Sequence, residues 1–251
     1  MNQGWFGNAD VAGGTEDRYM GRFMLNRFVD KTQVSVVGSA NNVNDQGFSG
    51  GGGPPRWRRN NGLTATKMLG VNFATQTDKL ELGGSARYNY QDGDIASIGS
   101  TEDFLPDGNS YSNSNSRQRN KAKNFNADFR MEWKPDSMTN IIFRPNFSYG
   151  KTDNLSNSES GTFSSDPYSL VSDPNNWLNL EKILNPDDDP LRSIRINAIN
   201  SGSLSDNKSV STDATLQLNR KLNDKGRNVT FRGRFGYTNN DNNQYTCLLY
   251  T

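Results

Sequence analysis

Between Lys121 and Lys151 the chain alternates in twos. Phe125, Ala127, Phe129, Met131 and Trp133 fall on one side, and Asn124, Asn126, Asp128, Arg130, Glu132 and Lys134 on the other. After a turn at Pro135-Asp136-Ser137 the alternation resumes. Ile141, Phe143, Pro145, Phe147 and Tyr149 extend the apolar side, and Asn140, Arg144, Asn146 and Ser148 the polar one. Successive side chains of a strand point to opposite faces, so the stretch predicts a long antiparallel hairpin with one apolar and one charged face. No soluble core is needed to explain such a face. It reads as part of a membrane wall.

The same period recurs along the chain. Trp5–Ala12 is a first, weakly patterned strand, followed by a turn at Gly13–Asp17. Arg18–Val29 sets Tyr19, Gly21, Phe23, Leu25 and Val29 together, and Gln33–Val43 sets Val34, Val36, Gly38 and Ala40 together. A glycine-rich loop is expected over Asn44–Asn61. Leu63–Thr75 then carries Leu69, Val71 and Phe73, and the next strand carries Leu80, Leu82, Gly84, Ala86, Tyr88 and Tyr90. Polar loops are expected over Gln91–Asn120 and Thr152–Lys208. Two last strands set Ala214, Leu216, Leu218 and Leu222 together, then Val229, Phe231, Gly233, Phe235 and Tyr237. They are joined by Asn223-Asp224-Lys225-Gly226, which has hairpin chemistry.

About nine strands result, most near the length that crosses a bilayer at a tilt. Short turns alternate with long polar connections. The expected fold is therefore all-β, an antiparallel transmembrane β-barrel that is incomplete, with short periplasmic turns and long outer loops. Three charges, Arg27, Lys67 and Arg220, sit on the apolar face near strand ends, where a long stem carries the charge to the headgroups. Trp133 lies beside a short turn, and Tyr88, Tyr90, Tyr149 and Tyr237 beside long loops, as interfacial girdles do. Met20, Met24 and Phe28 on the opposite face suit a lumen that packs against something rather than an open pore.

Composition alone would point elsewhere. Only 32% of the 251 residues are hydrophobic and the mean hydropathy is −0.86, values that ordinarily suggest disorder. A barrel reconciles them, because only alternate residues meet lipid. A net charge of +1 offers no field for nucleic acid. No apolar run of about eighteen residues marks a transmembrane helix. Met1-Asn2-Gln3-Gly4-Trp5 does not open a signal peptide, so an internal fragment is expected, with Met1 not the true start.

Several segments carry a family resemblance: Gly4-Trp5-Phe6-Gly7-Asn8-Ala9, Gly14-Thr15-Glu16-Asp17-Arg18-Tyr19, Arg22–Phe28, Ala40–Phe48, and Leu218-Asn219-Arg220-Lys221-Leu222 to Gly226-Arg227. In these the chain resembles the barrel region of TonB-dependent receptors of the Bacteroidota, the outer membrane beta-barrel family. The resemblance implies a barrel of about twenty-two strands, plugged by an N-terminal domain, that imports a bulky nutrient. Its implied location is the cell outer membrane. Its implied partners are outer-membrane lipid, the TonB energy-coupling system acting through the plug, a surface lipoprotein and an unspecified nutrient ligand. Plug, TonB box and later strands are absent from this sequence. Residues 1–246 are thus expected to be partial barrel. Cys247-Leu248-Leu249-Tyr250-Thr251 resembles the translation of a transposon end and is expected to be a non-native tail. The second reading is a smaller complete barrel or a surface adhesin.

Chemistry is sparse. There is no His and one Cys, so nucleophile–base pairs cannot be assembled, and no catalytic residue, cofactor or metal is expected. Asp187-Asp188-Asp189 lacks the spacing and glycine of a calcium loop and reads as a solvated loop. Asn176–Leu184 has helical spacing of Trp177, Leu180 and Leu184 and reads as a short helix packed within its own loop. Gly50–Gly53 lacks the lysine and serine of a phosphate loop, and Arg56-Trp57-Arg58-Arg59 reads as a solvated outer loop rather than an anion grip. The site candidates are the charges of the polar face: Arg87, Asp128, Arg130, Glu132, Arg144, Arg232 and Arg234. They suit mutual pairing or plug contact first and substrate contact second.

Overall fold

The computed structural model describes residues 3–44, 62–106, 108–185, 188–223 and 226–250. They form one antiparallel sheet of nine strands in simple up-and-down order: β1 (Gln3–Gly13), β2 (Tyr19–Val29), β3 (Thr32–Asn41), β4 (Leu63–Gln76), β5 (Leu80–Asp103), β6 (Ser110–Trp133), β7 (Thr139–Phe163), β8 (Arg195–Lys221) and β9 (Asn228–Tyr250). Each strand pairs with its sequence neighbours, so β1 and β9 are the edges of the described sheet. The expected strands are all present, including the weakly patterned first one. Cys247–Tyr250 continue β9 opposite Gly202–Ile199.

The short turns gather at one end. At Asp30-Lys31 the positive φ of Asp30 (49°) makes the tight reversal, and Asp136 caps the turn before β7 by accepting from Met138 N at 2.8 Å. Two other expectations need correction. Gln91–Asn120 and Thr152–Lys208 are not loops over most of their length. β5 and β6 stay paired from Leu80–Trp133 to Asp103–Ser110, and β7 and β8 from Thr139–Arg220 to Phe163–Arg195. A strand of 24 residues is about 80 Å long, far more than a bilayer crossing needs. Beyond the apolar band both faces are mostly polar, with Leu155, Leu204 and Tyr245 as isolated exposed exceptions, so the alternation that signals a strand disappears while backbone pairing continues. The true connections are residues 104–109 and 164–194.

Large apolar side chains of the banded part of the sheet are not buried. Trp5, Phe23, Leu25, Leu69, Phe73, Trp133, Phe231, Phe235 and Tyr237 are all exposed on one face. Nine strands about 4.8 Å apart, apolar over about nine residues each, present over 1,000 Å² of contiguous apolar surface, more than a soluble monomer leaves uncovered. The lower edge of this band lies on the Val29–Thr32 row in β2 and β3, and four residues lower, on the Arg220–Val229 row, in β8 and β9. The upper edge drifts in step. Val11 and Ala40 share the register row of Tyr90, whereas the continuous apolar run of β9 ends at Tyr237, which pairs with Thr212 four residues below that row. A band of constant height running obliquely across the register is what tilted strands in a barrel wall require. Pro145 interrupts the β6–β7 ladder between Asp128–Asn146 and Met131–Phe143, because it has no N–H to give.

The buried apolar core lies elsewhere. Residues 164–194 fold into a small lobe on the outer end, with two 3-10 turns (Pro167–Ser169, Pro174–Trp177) and a helix α1 (Leu180–Leu184). Phe163, Leu178 and Leu191 are fully buried there, packed by Tyr111, Val171, Trp177 and Ile194. The expected helix exists, but Leu178 and Ile183 point inward while Leu180 and Leu184 are exposed. A helix of five residues is too short for a repeating apolar stripe.

Candidate functional site

Register places all seven candidate charges on the face opposite the apolar one. Arg87 stands between Gly70 and Asn126, and Asp128 between Ser85 and Asn146. Arg130 and Glu132 follow along β6, while Arg144 on β7 and Arg232 and Arg234 on β9 flank Thr215 and Gln217 of β8. Most are satisfied locally. Glu132 takes Arg130 and Lys134, each at 3.0 Å, and its side chain is only 14% exposed. Ser85 donates to Asp128, Arg232 donates to Gln217 at 2.9 Å, and Arg234 pairs with Asp213 at 3.2 Å. Farther along the sheet Arg22 pairs with Asp10 at 2.8 Å. Arg87 and Arg144 have no ion-pair or hydrogen-bond partner among the described residues. Arg144 and Arg232 line a shallow hollow of about 270 Å³ with Ile142, Thr215 and Gln217.

Asp10, Arg22, Lys134 and Asp213 belong to this network and were not among the candidates. Their position on the polar side of the same alternation was the available signal. Farther out on the same face the charges stop. The rows Gly93–Asn120–Asn154–Ser205–Gln244 and Ile95–Gln118–Ser156–Ser203–Thr246 offer neutral hydroxyls and amides.

The apolar-side exceptions also find partners. The Arg27 guanidinium lies 5.0 Å from the Trp5 ring centre, and Lys67 5.9 Å from that of Tyr90. Arg220 donates to the Thr139 hydroxyl at 2.9 Å and reaches Asp136 at 3.9 Å. Beyond the band, Arg117 grips Asp94 with two hydrogen bonds of 3.0 and 2.6 Å, and Arg119 approaches Asp92 at 3.2 Å. The hydrogen bonds from Arg117 hold the Asp94 carboxyl below the usual carboxylate range.

Asp189 is not a solvated residue. Its side chain is fully buried, 2.6 Å from Arg195 Nη1, and it accepts from Leu191 N, while Arg195 also donates to Trp177 O at 3.1 Å. A buried carboxylate requires such a partner. It therefore staples the outer lobe. Asp187, Gly50–Gly53 and Arg56-Trp57-Arg58-Arg59 lie outside the described residues, as do Asp224 and Lys225 of the last turn. No group of three or more metal-ligating side chains occurs among the described residues.

No family model and no curated protein matches the chain. Among solved structures it is similar to the ferric yersiniabactin uptake receptor FyuA from Yersinia pestis, at 10% identity and a TM-score of 0.24 over 97% of this chain and 44% of that one. It is also similar to OccK8 (OprE) of Pseudomonas aeruginosa, at 8% identity and a TM-score of 0.12, covering 99% of this chain and 96% of the other. The chain spans under half the length of the receptor.

Proposed function

We propose that the chain is part of the wall of an outer-membrane transport barrel, a TonB-dependent receptor that binds a nutrient at its outer end and passes it through a plugged lumen. One observation carries the reading: an oblique apolar band of constant height on one face, backed by a charged face of Arg, Asp and Glu. An exposed apolar band is favourable in lipid and unfavourable in water. A charged interior suits a lumen filled by water or by another polar domain. Arg87 and Arg144 are the residues assigned to contact that plug or the passing solute. The uncharged outer rows suit a neutral, polar solute at the entrance. Outer-membrane lipid, the TonB system and a surface lipoprotein are the proposed partners.

The test is uptake. Deleting the gene for the intact protein should abolish accumulation of at least one member of a labelled nutrient panel. Collapse of the proton-motive force should abolish the same uptake. Uptake of every member that survives deletion would refute the transporter. It would favour the second reading, an adhesin or a small barrel. That reading draws on the exposed Ile98, Phe104 and Leu105 at the tip of the β5–β6 hairpin.

A further inference from the structure

Where the apolar band ends, the outward face carries a row of lysines. Lys67 stands opposite Tyr90, Tyr90 opposite Lys123, Lys123 opposite Lys151, and Lys151 opposite Lys208. On each of the four strands the lysine comes two residues beyond the band's last apolar residue: Leu69, Phe125, Tyr149 and Val210. Neighbouring strands lie about 4.8 Å apart, so Lys123, Lys151 and Lys208 root three ammonium groups within about 10 Å. Like charges directly opposite on one face are destabilising, and nothing in the sheet requires them there.

Compensation within the described residues is partial. Lys151 meets Asp206 at 3.0 Å and Asp153 at 3.4 Å, both one step farther from the band. Two of its three protons are thereby taken from the outer side, which leaves the third toward the bilayer. Asp241 stands opposite Lys208 in the row, yet neither Lys123 nor Lys208 makes an ion pair among the described residues. The layering is ordered: apolar and aromatic residues, then lysines, then the row Asp92–Lys121–Asp153–Asp206, where three carboxylates surround one further lysine.

We propose that Lys123, Lys151 and Lys208 form a docking row for the phosphate groups of anionic lipid headgroups in the leaflet at the long-strand end. The proposal rests on the membrane-wall reading. Depth selects the occupant. An ammonium just above the last aromatic residue lies at headgroup level, and its stem can run along the apolar surface below. Charge selects the chemistry, because a phosphate can bridge two neighbouring ammonium groups with charge-assisted hydrogen bonds. Asp153 and Asp206 fix Lys151 from above and discourage a second anionic layer.

The experiment uses the intact barrel protein in bilayer nanodiscs of phosphatidylcholine with a graded fraction of phosphatidic acid. Lipid retained after detergent extraction is counted by native mass spectrometry. The native protein should retain phosphatidic acid with roughly tenfold preference, the scale set by one or two lysines near an anionic surface. The variant K123Q/K151Q/K208Q should show no preference, and millimolar inorganic phosphate should not compete in the native protein. Equal retention by the two proteins would overturn the proposal. Displacement by inorganic phosphate would overturn it in favour of a free-anion site. Quenching of tryptophan fluorescence by brominated lipid in both proteins checks insertion separately. Its absence in the native protein would defeat the membrane-wall reading itself, and the docking row with it.

Discussion

Replacing Ala127 by Arg tests the wall most directly. Ala127 pairs with Ala86 of β5 and Phe147 of β7. It sits inside the apolar band, four residues from Lys123 above it and six from Trp133 below it, which is about 13 and 20 Å along the strand. An alanine between small and half-exposed neighbours loses no packing when enlarged outward, so the change reports solvent environment alone. In a bilayer a guanidinium at that depth costs about 2–4 kcal/mol, which lowers the folding equilibrium constant about 30- to 700-fold. At an exposed site in water the same substitution changes stability by less than about 0.5 kcal/mol. Asn146→Arg supplies the matched control one residue away in depth on the opposite face, between Asp128 and Asp213, and should cost almost nothing. The assay is urea titration of the intact protein refolded into lipid vesicles, followed by its shifted mobility on unheated gels. If Ala127→Arg is no more costly than Asn146→Arg, the apolar face does not meet lipid.

Two further outcomes concern the outer end. Arg195→Met leaves the Asp189 carboxylate buried without a partner, and stranding one member of a buried pair costs about 3–5 kcal/mol. Hydrogen exchange over 164–194 should therefore accelerate while exchange in the membrane-level strands stays unchanged; unaltered exchange in the lobe would show that the pair is not its staple. The Asp94–Arg117 pair sets a pH dependence. A carboxyl whose pKa is lowered on folding contributes fully above its ordinary value of about 4, and that contribution is lost as pH falls through the lowered value. Amide protection around Asp94 and Arg117 should thus be flat from pH 7 to 5 and drop only in stronger acid. Asp94→Asn should remove the drop, and a drop that persists in that variant would assign it to other groups.

How far the fold was legible depended on whether one face of a strand is apolar. In β6 and β7 every second residue is apolar, so Phe125–Trp133 and Ile141–Tyr149 announce strand, face and register together. Outward from Gln91, Lys121 and Thr152 neither face is continuously apolar. Serine, asparagine and lysine then satisfy either side, and a paired strand cannot be told from a loop by pattern. The lobe was illegible for another reason. Phe163, Leu178 and Leu191 are separated by long intervals with no period, and their meeting is decided by chain reversal at Asp166 and Asp173. The candidate charges were legible as one face because parity alone assigns them. Their partners were not, since Ser85 meets Asp128 and Asp213 meets Arg234 only once the strand offsets are known.

The long hairpins also bear on how the wall can act. β5 to β8 extend well past the band, and at a barrel tilt of about 45° roughly half of their height stands outside the hydrocarbon. Among the described residues that extension carries the buried apolar cluster and the buried Asp189–Arg195 pair, so its outer end is organised by contacts within the protein. Strand pairing continues from the band to the lobe without a flexible connector. A displacement of the lobe would therefore be transmitted as a tilt or shear of β7 and β8, the strands that hold Arg144 and Thr215 at the charged face. On the proposed reading, two continuous strands join the outer lobe to the charged face. Loosening the lobe should weaken that connection while leaving the band inserted in the bilayer.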